Sequence, residues 1–146
     1  MKVDILKISD GEESIVIRYK EMTPSVNKII SILQNEKTKI WGKTNDQNVC
    51  IQTEDILYLE SVDDKTFAYT EACVLRIEGS LNSFIMEMQD ESFFRCSKSM
   101  IINVNRVVSL KSLSSNRIDA TMEGGEHIII SRKYAVAFRK LLKGAQ

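Results

Sequence analysis

Phe93-Phe94-Arg95-Cys96-Ser97-Lys98-Ser99-Met100-Ile101-Ile102-Asn103 is the stretch on which the reading of the fold turns. Two apolar runs stand on either side of a polar break at Ser97-Lys98-Ser99. The aromatic run predicts a short strand, because aromatic residues suit a pleated, half-buried surface. Residues 100–103 read as a single helical turn. The break holds one cation and two hydroxyls between segments that must both be buried, so the chain exposes a small polar loop at this point.

Working outward, the C-terminal side reads as two strands, residues 107–113 and 117–122, joined by Ser114-Ser115-Asn116. Gly124-Gly125 then predicts a tight hairpin into residues 128–130. Tyr134, Phe138, Leu141 and Leu142 form the apolar stripe of a short closing helix. On the N-terminal side, Ser80 caps a helix with the stripe Leu81, Phe84, Ile85 and Met88. Before it come strands at 73–77, 66–70 and 56–59, with a polar loop over 61–65. Residues 39–43 and 48–52 flank the polar turn Thr44-Asn45-Asp46-Gln47 and predict a hairpin. Thr23-Pro24 opens a helix with Val26, Ile29, Ile30 and Leu33 on one face. Residues 3–8 and 14–20 around Asp10-Gly11 predict a first hairpin. The fold class is therefore mostly β with short helices. A composition shift between Asn45 and Asp55 divides the chain into an extension, 1–45, of one hairpin and one helix, and a main domain, 46–146. Phe94 and Ile129 are expected in the core of that domain.

Composition narrows the functional classes. At 146 residues, 43% hydrophobic and 27% charged, the chain is of ordinary globular make-up. It has no apolar run of the ~18 residues that span a bilayer, and Met1-Lys2-Val3-Asp4 is followed by no signal core. Cys50, Cys73 and Cys96 are odd in number and match no zinc spacing, which fits reduced thiols in a cytoplasmic protein. His127 is the single histidine, and neither a nucleophile–base pair nor a phosphate-cradling glycine loop can be assembled. No catalytic residue, metal ligand, cofactor or small-molecule substrate is assigned, and no enzyme is expected.

Net charge is zero but unevenly spread. Residues 97–146 carry nine Lys/Arg against three carboxylates, +6, and residues 1–96 carry eleven against seventeen, −6. A polyanion responds to the field of the face it meets, because charge is screened beyond ~10 Å.

From Ile56 onward the chain resembles the LytTR DNA-binding domain. The resemblance rests on Ile56-Leu57-Tyr58-Leu59-Glu60-Ser61, on Gly79-Ser80-Leu81, on the stretch 93–103 quoted above, and on Ile130-Ser131-Arg132-Lys133-Tyr134. In order and spacing these span about 90 of the 146 residues. Two positions depart from the common family pattern. Ser97-Lys98-Ser99 stands where His-Arg-Ser is usual, and Met100 replaces a common Tyr. The resemblance implies a ten-stranded β arrangement that lays loops into successive major grooves of duplex DNA; the first 45 residues lie outside it and are too short to read as a phosphoacceptor receiver domain, which needs a much longer α/β segment.

On that basis Lys65, Lys98, Ser99, Arg106, Arg132 and Lys133 are the expected DNA-binding residues. Lysine can donate to guanine O6 and N7, serine to phosphate, and basic residues at a helix start add to the positive end of its dipole. Asn103 is read as structural, and Cys96 as a buried, inert thiol. The expected function is a sequence-specific transcription regulator bound to paired direct repeats as a homodimer or cooperative pair. The extension would supply a dimer or regulatory contact, and a small membrane protein would serve as a regulator, as for some stand-alone members of the family. The rival is a protein-interaction module that kept the fold and lost DNA affinity.

Overall fold

A computed structural model describes residues 1–33, 39–88 and 92–144. They divide into two compact units, residues 1–36 and 37–146. The first unit contains one helix, α1 (Pro24–Leu33). Thr23 caps it as the sequence predicts: its Oγ1 accepts the Val26 N–H at 3.2 Å and its carbonyl accepts the Asn27 N–H at 3.0 Å. The hairpin expected over 3–8 and 14–20 does not form, and none of residues 1–23 is in a strand. The reason is local. A two-stranded ribbon is marginal unless it buries a face, and here the apolar side chains stay out, with Ile5 89% and Val16 75% exposed. Residues 34–38, part of the expected extension, lie outside the described residues.

The second unit holds ten strands, as the resemblance implies. A seven-stranded antiparallel sheet contains β1 (Lys39–Thr44), β2 (Gln47–Gln52), β3 (Tyr58–Val62), β4 (Lys65–Tyr69), β5 (Val74–Ile77), β6 (Phe93–Ser97) and β7 (Met100–Asn103), in the order β2-β1-β5-β4-β3-β7-β6. A three-stranded sheet has the order β10-β9-β8, from β8 (Val107–Ser112), β9 (Ile118–Met122) and β10 (His127–Ile130). The remaining helices are α2 (Leu81–Met88) and α3 (Arg132–Gly144). β1 pairs with both β2 and β5, so residues 39–44 are part of the large sheet. Gly42 permits this. A Cβ there would lie 2.8 Å from that of Leu75, too close for any other residue without displacement.

The large sheet is covered on both faces near β3, β7 and β6. Leu59, Ile77, Ile101 and Phe93 pack with Leu81 and Phe84 of α2. On the other face Ile102 and Cys96 pack with Ile118, Met122 and Ile130 of the small sheet and Phe138 of α3. Phe93 meets Phe84 edge-on at 5.0 Å, whereas its neighbour Phe94 meets Phe138 at 5.2 Å. The aromatic pair thus anchors β6 to both layers, as successive residues of a strand must.

Two expectations are corrected here. Residues 100–103 form a strand and not a helical turn. Ile101 and Ile102 are both fully buried because both faces are covered, so the alternation that marks a half-exposed strand is missing. Phe94 is half-buried, and Ile129 points outward at 40% exposure, while Ile128 and Ile130 at 3% and 0% carry the core. A run of three isoleucines does not reveal its own phase.

Ile130→Ala should therefore cost about 2–5 kcal/mol of unfolding free energy, and Ile129→Ala less than about 1 kcal/mol. Denaturant titration of the two variants checks the phase of β10, and the reverse ranking would refute it. Thiol chemistry offers a second check. Burial pushes the Cys96 thiol up to about 12, while Cys50 is exposed on β2. At pH 8 a thiol reagent should modify Cys50 promptly and leave Cys96 protected until the domain unfolds.

Candidate nucleic-acid interface

Strand direction decides which turns meet. β3 and β6 run toward one end of the large sheet, and β8 and β10 run toward the same end of the small one. The register fixes the direction within each sheet, since Glu60 and Ser97 both lie opposite Met100 and Ser112 and Ile130 both lie opposite Ile118, and the Ser131 N–H on the Cys96 carbonyl brings the ends of β10 and β6 together. Four segments consequently converge. They are the β3–β4 turn, the β6–β7 turn, the β8–β9 turn and the N-terminus of α3.

The β6–β7 turn, residues 97–99, lies at the centre. On one side the Ser61 N–H donates to the Ser99 carbonyl at 2.8 Å, bringing the β3–β4 turn alongside. Asp63 and Asp64 form that turn with φ of 50° and 62°, the left-handed pair of a two-residue hairpin loop, and Lys65 follows them. On the other side β6 is irregular at Cys96, where the register shifts between Arg95 and Ser97. The Cys96 carbonyl accepts the Ser131 N–H at 2.9 Å, docking the start of α3 against the turn. The Ser131 carbonyl accepts the Ala135 N–H at 3.0 Å and so begins the helix. Arg132 and Lys133 in its first turn are both exposed, with the Lys133 ammonium 5.5 Å from the centre of the Tyr134 ring.

Five of the six expected residues thus share one end of the domain: Lys65, Lys98, Ser99, Arg132 and Lys133. All five are exposed. Helix-start N–H groups, ammonium groups, a guanidinium and a hydroxyl are hydrogen-bond donors, the set that phosphate oxygens and guanine edges accept. Asp63 and Asp64 are the carboxylates nearest in sequence to these cations, and they narrow the positive surface to the side of β6 and α3.

Arg106 lies elsewhere. It ends the 3-10 helix Val104–Arg106 that follows β7, at the opposite end of the sheet. Its Nε donates to the Glu54 carbonyl at 2.8 Å, and its two terminal nitrogens meet Glu123 at 3.0 Å and Asp55 at 3.3 Å. The hydrogen bond to Glu123 raises its pKa further. This arginine ties the β2–β3 connection to the β9–β10 hairpin. Beside it Asn103 is buried, donating to the Ile56 carbonyl at 2.9 Å and accepting the Asn105 N–H at 3.1 Å, in the structural role expected of it.

Residues that sequence reasoning passed over stand at the shared end. Asn116 and Arg117 of the β8–β9 turn are exposed next to the start of α3, because Ile118 pairs with Ile130. Their only signal was a cation beside a Ser-Ser-Asn turn. Arg95 is a second omission: its Nε donates to the Ser97 carbonyl at 2.7 Å and its Nη1 to Asn82 Oδ1 at 2.6 Å.

His127 does not hold an acid and a hydroxyl on opposite ring nitrogens. Asp119 and Thr121 both approach its Nδ1, at 3.1 and 3.3 Å, so acid and hydroxyl compete for one nitrogen instead of flanking the ring. Among the described residues no three His, Cys, Asp or Glu side chains are grouped to hold a metal ion, and no helix is long and apolar enough to cross a membrane.

Comparison with known proteins bears on this arrangement. The family model of the LytTr DNA-binding domain matches residues 46–143. The sensory transduction protein LytT of Bacillus anthracis is 27% identical over 95 residues, 65% of this chain and 39% of that protein. Its counterpart in Enterococcus faecalis is 24% identical over 110 residues, 75% of this chain and 44% of that protein. The chain thus aligns with only about two-fifths of the length of these relatives. Among solved structures, a LytTr DNA-binding domain of a Bacillus cereus DNA response regulator superposes with a TM-score of 0.69 at 32% identity, over 73% of this chain and 97% of that one. With the sequence marks, the two-sheet fold and a whole-domain match in agreement, this chain belongs to the LytTR DNA-binding domain family.

Proposed function

We propose that this protein is a sequence-specific, double-stranded DNA-binding transcription regulator of the cytoplasm. The observation that carries the reading is the convergence of Lys65, Lys98, Ser99, Arg132 and Lys133 on one end of the domain, where four chain segments meet. Lys98 and one of the pair Arg132 and Lys133 reach base edges in the major groove. Lys65, Ser99 and the other of that pair hold phosphates, with Arg117 as an added contact. Arg106 is left out of this set, since its guanidinium is engaged by Glu54, Asp55 and Glu123.

Two copies act together on paired direct repeats of a promoter, as a homodimer or a cooperative pair. Residues 1–36 supply the partner or regulatory contact; the unpaired apolar residues Ile5, Leu6 and Val16 are available for it. A small membrane protein is the class of regulator that would hold such a unit. The rival reading, a protein-interaction module without DNA affinity, draws on Asp63 and Asp64 at the same end and on the zero net charge.

Binding to sites selected from random DNA, followed across a salt series, tests the proposal. Lys98→Ala, Arg132→Ala and Lys133→Ala should each weaken specific binding by roughly 1–3 kcal/mol where the side chain reads a base. With three phosphates neutralised per copy, by Lys65, Arg117 and one of Arg132 and Lys133, log K should fall against log salt with a slope of about −3. Arg106→Ala should leave that slope unchanged and lower stability instead. Folded protein that binds neither specific nor random duplex at low salt would establish the rival.

A further inference from the structure

The turn at 97–99 has an unusual backbone arrangement. All three of its carbonyl groups are occupied by protein donors. The Ser99 carbonyl accepts the Ser61 N–H, and the carbonyls of Ser97 and Lys98 both accept from the guanidinium of Arg95. Pairing between β6 and β7 resumes at Ser97 opposite Met100, and Lys98 and Ser99 lie in the loop beyond that last pair.

Arg95 is in turn fixed from behind. Its third contact is Asn82 on α2. The start of α2 is itself anchored, since Ser80 and Ser83 cap one another and the Thr66 hydroxyl donates to the Gly79 carbonyl at 2.8 Å. A planar guanidinium with donors in a fixed fork can bind two carbonyls and an amide oxygen at once, and a lysine ammonium offers no such plane.

From this geometry we infer that Arg95 is the positioning residue of the DNA-reading turn, acting through Lys98 and not by touching DNA. The inference rests on the DNA-binding reading of that turn. Arg95 does two things. It fixes the backbone from which Lys98 and Ser99 project, so these side chains meet the duplex without first losing loop entropy. It also turns two carbonyl oxygens inward, which would otherwise present partial negative charge near the phosphates. Asn82 sets the plane of the guanidinium and so belongs to the same device, although it is far from Arg95 in sequence.

The test compares wild type with Lys98→Ala, Arg95→Ala, Arg95→Lys, Asn82→Ala and the double variant Arg95→Ala/Lys98→Ala. The full chain is used, on a duplex selected from random DNA and on an unrelated duplex, across a salt series. Thermal unfolding verifies that each variant is folded. Arg95→Ala should lose about tenfold in specific affinity, with the salt slope unchanged because no phosphate contact is removed. The double variant should bind about as weakly as the weaker single one, since both changes remove the same contact. Arg95→Lys should not restore binding, and Asn82→Ala, which keeps the arginine, should lose several-fold. Amide exchange at residues 97–99 of the free protein should quicken in Arg95→Ala.

Three outcomes overturn the inference. One is wild-type binding by Arg95→Ala while Lys98→Ala is weakened. Another is a slope flattened by about one in Arg95→Ala, which would make Arg95 a phosphate contact. The last is rescue by Arg95→Lys, which would reduce the role to charge. Wild-type binding by Lys98→Ala is a different result: it removes the DNA-binding reading of the turn on which the inference stands. Should Arg95→Ala fail to fold, Asn82→Ala and Arg95→Lys decide the question by the same criteria.

Discussion

The hydrogen bond from the Ser131 N–H to the carbonyl of the irregular residue Cys96 fixes the start of α3 against the large sheet. At that point β6 leaves its ladder with β7, and the carbonyl so released accepts the N–H of Ser131. The side chain meanwhile enters the core shared by the small sheet and α3. A regular strand would have used that carbonyl in pairing or left it facing water. The bulge turns a strand edge into an attachment point, which is how it brings the first turn of α3 beside residues 97–99. The buried thiol is therefore structural, and its pKa of about 12 follows from the burial that the junction requires.

From that junction follows the distribution of charge. Strands of the two sheets run toward the same end, so turns distant in sequence collect their cations there. Arg106 shows how sharply direction matters. It is only eight positions beyond Lys98, yet β7 lies between them, and a four-residue strand covers about 13 Å. That displacement moves Arg106 to the far end of the sheet, where Glu54, Asp55 and Glu123 bind it. Basic residues at the two ends consequently serve different purposes. Those near Lys98 face outward, and Arg106 closes the opposite end against its own carboxylates. A formal charge of zero is compatible with a locally positive surface for this reason.

The turns are held in different ways. Asp63 and Asp64, and likewise Asn45 and Asp46, hold left-handed backbone conformations that suit two-residue hairpin loops and that short polar side chains tolerate. At the β6–β7 turn neither Lys98 nor Ser99 is left-handed, and the guanidinium of Arg95 binds the carbonyls of Ser97 and Lys98. The small sheet has the simplest device, Gly125 at a φ of 92° closing the β9–β10 hairpin.

Much of this was determined by the sequence alone. Thr23-Pro24, the Ser80 cap, Asn45-Asp46 and Gly124-Gly125 act within a few residues, so the helix starts and tight turns could be read directly. The motif around Phe93 to Asn103 identified the domain, and it located Lys98 and Ser99 in an exposed break. Tertiary structure decided the remainder, because pairing partners far apart in the chain control it. Only coverage of both sheet faces made residues 100–103 a strand, and only packing against Phe138 and Met122 chose Ile128 and Ile130 over Ile129 for the core. The expected hairpin at 3–20 failed for the complementary reason: local alternation was present, but no buried face was there to stabilise it. At the site, strand order gathered Lys65, Lys98, Arg132 and Lys133, added Arg117, and removed Arg106. Sequence supplies the charges and the turns, while the direction in which each strand carries them is a non-local property, set by which backbone pairs with which.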